Sequence, residues 1–202
     1  MIAAIGVDPD LHNTAIAVAT KDQVLALGVV RGQKGLIEDE AVEDMVYRFA
    51  SPSIDGGLAD FVWSKGFDRR RPGLDLEIKG CRVEGQKRYL GGPSLPEDLI
   101  RLATVAGGAM AHLAQWSPKL VQPSAWKGSV DKTTNQARTL AAYGISYKVV
   151  GGLKGYCIPA KGKEKLPAIW TSDGSPPLQS DWKHVLDAVG IARWAALGAR
   201  PK

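Results

Sequence analysis

Three carboxylates and one imidazole stand where apolar segments of the chain end, and they are the residues best suited to chemistry. Asp8 closes the apolar run 2–7, and Glu84 closes a second one in Cys81-Arg82-Val83-Glu84. His184 and Asp187 lie three apart in a stretch where Val185, Val189 and Ala192 recur at helical spacing, so the pair shares one helix face. A carboxylate at the end of a buried strand is costly unless it meets a cation or hydrogen-bond donors. Each residue also has a plainer explanation. Asp-Pro is a common turn start. Glu84 could pair with Arg82 or Lys87 at the surface. His184 and Asp187 could sit at a helix start, although the dipole there favours an Asp and not a charged His. Asp181, six residues before Asp187, is expected to be the N-cap. Taken together, oxygen donors with one nitrogen suit Mg²⁺ or Mn²⁺ better than zinc. A pair of such ions can activate water and stabilise the leaving oxygen of a phosphodiester.

These residues need elements to position them. Segments 2–7, 14–20 and 23–30 read as strands joined by short connections, which predicts three antiparallel strands in sequence. A helix is expected over 36–50, with acids in its first turns. A strand over 76–84 follows, then a helix over 95–116 opened by Pro96, Glu97 and Asp98. A short strand at 119–122, a helix at 132–143 closed by Gly144 and a last helix at 181–197 complete the set. Segments 51–73 and 151–180, rich in Gly, Pro and charge, read as insertions, the second as a flexible loop. The expected architecture is one α/β domain over residues 1–202, with a mixed five-stranded sheet (three antiparallel strands, then two parallel) flanked by helices. The small-residue stretch Ala103 to Ala111, with Gly107 and Gly108, needs close packing to offset about 1 kcal/mol of helix cost per glycine. The sheet or a second subunit could supply it.

Composition narrows the class. The chain has 202 residues, 45% of them hydrophobic and 23% charged, an ordinary globular balance. Cys81 and Cys157 are far apart and outside any CxxC, which removes a disulfide framework and a thiolate zinc site and agrees with a reducing cytoplasm. No apolar run approaches the roughly 20 residues of a membrane helix, and the N-terminus has no signal pattern. Residues 1–60 hold four Lys/Arg against ten Asp/Glu, whereas residues 61–202 hold 22 against 11. A basic surface of that kind favours a polyanion partner. There is no P-loop, GxGxxG, HExxH or GxSxG, and three histidines leave few options for a Ser-His-Asp site.

The motifs resemble those of the RuvC family of Holliday junction resolvases, within the retroviral-integrase/RNase H-like superfamily. Ile5-Gly6-Val7-Asp8-Pro9-Asp10, with Thr14-Ala15, is similar to the family's "GIDPG…TG" strand. Val83-Glu84-Gly85-Gln86 resembles its "IE" strand, and His184 to Ala192 resembles its closing "D/HxxDAxxIA" helix. Order and spacing agree over nearly the whole chain. The resemblance implies an RNase H-like fold and a two-metal endonuclease that nicks four-way DNA junctions as a homodimer, in a bacterial cell or a phage-infected one. It implies Asp8, Glu84, His184 and Asp187 as ligands of two Mg²⁺ ions, with Mn²⁺ as a substitute, and Lys127 and Lys132 as catalytic, DNA-contacting lysines near the scissile phosphate. Two departures stand out. Asp10 replaces the usual Gly, which alters the first turn or adds a carboxylate near the metals. Lys87 stands where many members have an aromatic wedge, leaving Tyr89 as the nearest aromatic and Lys87, Arg88 and Tyr89 as candidate DNA contacts. Arg69, Arg70, Arg71, Lys154, Lys161, Lys163 and Lys165 could grip junction arms or simply be solvated.

Three alternatives stay open at this level. The first is a related nuclease acting on other branched DNA or RNA–DNA hybrid. The second is a junction-binding protein without cleavage, although all four ligand positions are filled. The third is an actin-like kinase or ATPase, for which the chain is short and lacks a second DxGxG loop.

Overall fold

The computed structural model describes residues 1–50, 61, 77–85, 96–152 and 155–198. The element order is β1 (Ile2–Asp8), β2 (Asn13–Thr20), β3 (Val24–Arg31), α1 (Glu38–Ala50), β4 (Glu77–Glu84), α2 (Pro96–His112), β5 (Pro118–Val121), α3 (Pro123–Trp126), α4 (Lys132–Ala142), β6 (Tyr147–Val150), β7 (Tyr156–Pro159), β8 (Ile169–Thr171) and α5 (Trp182–Ala196). The main sheet runs β5-β4-β1-β2-β3-β8. β1 pairs antiparallel with β2, which pairs antiparallel with β3; β4 is parallel to β1 and β5 parallel to β4. All five expected strands are present, in a mixed α/β fold.

The sheet has one strand more than expected. β8 lies parallel to the end of β3, with Val29 opposite Thr171, and β6 and β7 form a separate antiparallel ribbon. Both β7 and β8 fall in the segment 151–180, which the sequence reads as a loop, and this is a correction. These strands are three and four residues long, too short to show a period of two. They are also fastened by side chains: the Thr133 hydroxyl donates to the Gly155 carbonyl at 2.8 Å, and the Arg31 backbone N–H donates to the Ser172 hydroxyl at 3.0 Å.

The two faces of the sheet carry different residues, and this sets where the helices sit. On β2, Ile16 and Val18 point to the side of α1 and α2, joining Ile5, Val7, Met45, Phe49, Val105 and Trp116 in one core. Ala15, Ala17 and Ala19 point the other way, toward Val185, Ala188, Val189 and Ala192 of α5. The alanine face lets α5 come very close. A Cβ added at Gly6 would fall 2.2 Å from the Ala188 carbonyl oxygen and 2.5 Å from the Ala192 nitrogen. Gly6 is therefore a contact point between strand and helix backbones.

In the small-residue stretch of α2, Gly108 faces α1, where a Cβ would meet Val46 at 2.9 Å, whereas Gly107 has open space above it. The close packing expected from the sheet or a second subunit thus comes from α1, and for one of the two glycines. No helix among the described residues is long and apolar enough to cross a membrane.

Candidate active site

Asp8 is the last residue of β1 and Glu84 the last of the neighbouring parallel strand β4, with Val7 opposite Val83. Their side chains emerge at the same sheet edge. α5 crosses that edge with His184 and Asp187 one turn apart on its inner side. The basic members come from the next connection. Pro123 starts the single turn α3, which ends with Lys127 as its C-cap. Asp131 caps α4, its carboxylate accepting from the Thr134 N–H at 2.9 Å, and this places Lys132 at the first helical position. The structure thus brings Asp8, Glu84, His184, Asp187, Lys127 and Lys132 into one cluster.

Every acid in the cluster meets a cation. Asp8 Oδ2 lies 2.9 Å from His184 Nδ1, Glu84 Oε1 lies 3.4 Å from Lys127 Nζ, and Asp187 Oδ2 lies 2.6 Å from Lys132 Nζ. Asp8, Glu84 and Asp187 are 7%, 4% and 2% exposed, whereas the side chains of Lys132 and Lys127 keep 32% and 19%. The acids therefore form the floor and the lysines the rim.

Proton affinities follow from this layout. Burial would lift the Asp8 carboxyl, but the hydrogen bond and charge of His184, with Lys132 and Lys127 beyond, hold it below the usual carboxylate range. Burial draws His184 down, and Asp8 outweighs it, so the imidazole stays above its ordinary value. Glu84 is pushed up to about 8, first by burial and then by the Asp8 charge, with Lys127 only partly offsetting them. Asp187 is raised by burial and by Asp8 against the pull of Lys132. Lys132, despite burial, is held above its usual value by Asp187 and Asp8.

The donors fit a hard divalent cation in chemistry. Three carboxylates and one imidazole are an oxygen-rich set, and Glu84 Oε2 is buried with no hydrogen-bond partner. The side-chain positions are those of the ion-paired form. Among the described residues, no group of three or more His, Cys, Asp or Glu side chains is arranged to hold a metal ion.

Gln136 belongs to this site and is absent from the sequence-derived set. It is fully buried; its Nε2 donates to Asp187 Oδ1 at 3.0 Å and to the Lys183 carbonyl at 2.9 Å, while its Oε1 accepts from the Cys157 N–H at 2.9 Å. It ties β7 to the Asp187 carboxylate. The available signal was a glutamine one turn before the apolar Leu140, on the core-facing stripe of α4.

Asp10 agrees with the expectation for it: it closes the β1–β2 turn, accepting from the backbone N–H groups of His12 and Asn13 at 3.0 and 3.3 Å, and its charge also helps to raise His184. Asp181 occupies the N-cap position of α5, as expected, but its side chain makes no capping bond to the helix. Its carboxylate instead pairs with Arg31 at 2.6 Å and accepts from the Leu178 N–H at 2.7 Å, so the position is as expected and the side-chain role is not. Lys161, Lys163 and Lys165 are exposed, and Lys165 donates to the Gly144 carbonyl behind α4. Lys87, Arg88 and Tyr89 lie outside the described residues, as do Arg69, Arg70, Arg71, Lys154 and all of the 51–73 insertion except Phe61. Phe61 stacks on Trp170 with ring centroids 5.1 Å apart.

No protein-family model matches the sequence, and no curated protein matches it. Solved structures do. The chain is similar to Thermus thermophilus RuvC in complex with a Holliday junction substrate, at 15% identity and a TM-score of 0.54, over 100% of both chains. It is also similar to a second Thermus thermophilus RuvC structure, at 15% identity and a TM-score of 0.53, over 99% of both chains. At this identity the likeness establishes the fold, which is RNase H-like.

Proposed function

We propose that the chain is a divalent-cation-dependent endonuclease that resolves four-way DNA junctions by paired nicks. The observation that carries this reading is the buried Glu84 oxygen without a partner, beside Asp8 and Asp187, at the edge of an RNase H-like sheet. Such a cluster favours added positive charge. One of the similar structures was solved with a Holliday junction substrate, which supports the choice of DNA form.

Asp8, Glu84 and Asp187 supply the oxygen donors, and His184 supplies the nitrogen or holds a proton on Nδ1 beside Asp8. Bound there, two Mg²⁺ ions, or Mn²⁺ in their place, supply an activated water and charge to stabilise the leaving 3′ oxygen. Lys127 and Lys132, half-buried at the rim of the cluster, hold the oxygens of an incoming phosphodiester and fix its register. Gln136 keeps the Asp187 carboxylate in one orientation. A two-fold homodimer sets two such sites against opposed strands of the junction.

The test is incubation of the protein with a labelled four-way junction in Mg²⁺, with linear duplex and RNA–DNA hybrid alongside. Paired nicks in the junction alone, lost in Asp8→Asn, are expected. Cleavage of the hybrid instead would move the substrate, and junction binding without cleavage in either metal would reduce the protein to a binding module.

A further inference from the structure

Asp181 carries a buried charge that the chemistry above does not use. It is 2% exposed. Its backbone is already helical, at φ −61° and ψ −30°, and its carboxylate bonds Arg31 Nη2 at 2.6 Å instead of the helix N–H groups. Arg31 ends β3, and its side chain is 12% exposed. The same guanidinium donates to Ser175 Oγ and, at 3.3 Å, to the Pro176 carbonyl, while the Arg31 backbone N–H donates to Ser172 Oγ at 3.0 Å. One arginine thus gathers the segment 172–181 onto the end of β3. That segment brings little apolar anchorage of its own: Pro176, Pro177 and Leu178 are exposed.

The pair stands beside the acidic cluster. Ala15 lies opposite both Asp8 and Val29, so Arg31 is two residues beyond the row of Asp8, at the same end of the sheet. Apolar contacts through Val185, Val189 and Ala192 hold α5 to the sheet. Such contacts are non-directional, so close backbone and polar contacts must set its slide and tilt. There is one at each side of the donors. Gly6 meets α5 at Ala188 and Ala192, and Arg31 meets Asp181. His184 is three residues past Asp181, about 4.5 Å along the helix axis, and Asp187 adjoins Ala188. Asp187 has further ties in Lys132 and Gln136. Among the described residues His184 bonds only Asp8, so its place depends on where α5 starts.

We infer that Arg31 and Asp181 are a positioning pair: they fix the start of α5 on β3 and thereby set His184 against Asp8 for the divalent cation. The cation in this inference rests on the nuclease reading above. Neither residue is among the proposed donors, and both act through His184. A buried ion pair is weak evidence for stability, but it is directional, and loss of one partner leaves the other charge buried alone. The fork geometry explains the residue type. An arginine reaches the carboxylate, a hydroxyl and a carbonyl at once, whereas a lysine offers a single point charge.

The test compares Arg31→Met and Arg31→Lys with Leu113→Ala in the full chain. Leu113 is buried in the core on the other face of the sheet, so its truncation lowers stability away from α5. Each folded variant is read twice. Mn²⁺ binding is followed by the electron paramagnetic resonance of the free ion. The His184 ring-nitrogen shifts are followed in EDTA by a long-range ¹H–¹⁵N spectrum, assigned by their loss in His184→Gln. Arg31→Met is expected to weaken Mn²⁺ binding about tenfold, the low end of what lost support of a metal ligand costs, and to move the Nδ1 shift as the Asp8 bond is lost. Arg31→Lys keeps a charge for Asp181 without the fork and is expected to fall between; it carries the comparison if Arg31→Met does not fold. Leu113→Ala is expected to change neither reading. Parent-like Mn²⁺ affinity and Nδ1 shift in both Arg31 variants would overturn the inference, as would equal changes in Leu113→Ala. If the parent chain binds no Mn²⁺, the metal reading fails, and the Nδ1 shift alone decides the pair: moved by Arg31→Met, it upholds the positioning role; unmoved, it overturns that too.

Discussion

Replacing Gln136 by leucine tests the buried network that orients Asp187. The side chains are close in volume, so packing changes little, and the cost falls on hydrogen bonds. The Cys157 N–H loses the acceptor that Gln136 provides, and a stranded buried donor costs ~1–3 kcal/mol. Asp187 Oδ1 loses a bond to a charged group, worth ~1.5–3 kcal/mol. The Lys183 carbonyl sits in the first turn of α5 and keeps its helical partner, so it adds little. The expected loss is ~3–5 kcal/mol, a large share of the ~5–15 kcal/mol that holds an ordinary domain together. Urea unfolding in EDTA, followed by far-UV circular dichroism, measures it without reference to activity. Gln136→Glu sharpens the test. Its carboxyl oxygens would face Asp187 and the Lys183 carbonyl, so the folded state must keep it protonated. The folded pKa is then raised above the unfolded one. The variant is near its most stable below the unfolded value and loses stability as pH rises toward the folded one, by ~1.4 kcal/mol per pH unit. A loss below ~1 kcal/mol in the leucine variant, with no pH slope in the glutamate variant, would refute the network as described.

Two further predictions use the same unfolding assay. Glu84 binds its proton up to about pH 8 when folded, against an ordinary value of 4.5, so its burial costs stability progressively as pH rises through that window. Glu84→Gln in EDTA is expected to gain on the parent chain across the window and to hold a constant lead above it; a lead independent of pH would contradict the placement. Gly6→Ala is expected to cost about 3 kcal/mol, the upper range for overpacking, because the new methyl meets the α5 backbone and not a movable side chain; an unchanged melting temperature would mean that α5 does not sit on β1 as described.

Much of the site was legible because its residues punctuate strong local patterns. Asp8 and Glu84 end apolar strands, and a charge at such a point is conspicuous. His184 and Asp187 were placed by the helical spacing of Val185, Val189 and Ala192. The lysines were visible only through family resemblance, since a lone lysine on a loop carries no pattern. What the sequence hid was held by side chains from distant segments. β8 exists because β3 offers it an edge and Phe61 packs on Trp170. Asp181 looks like a cap by position, yet Arg31, 150 residues earlier, takes its carboxylate. Gln136 is polar on an apolar stripe, which flags a buried network but does not say to what it bonds.

The ion-paired form of the cluster raises a question of balance. Three carboxylates buried together would oppose folding, and Lys127, Lys132 and His184 offset them from within the chain. If the nuclease reading holds, the same acids must also accept divalent cations, so lysine and metal compete for one role. Lys132→Met separates the two. Removing Lys132 strips Asp187 of its 2.6 Å partner. The lysine side chain is about a third exposed, so the cost lies between the surface and buried limits, at ~2–3 kcal/mol in EDTA. A ligand that binds only the folded state returns ~2.7 kcal/mol at 100 times its Kd. Mn²⁺ is therefore expected to restore most of the loss in Lys132→Met and to stabilise it more than it stabilises the parent chain. Equal stabilisation of both would mean that Lys132 and the cation do not share Asp187. No stabilisation of either would remove the metal from the site and the two-metal mechanism with it.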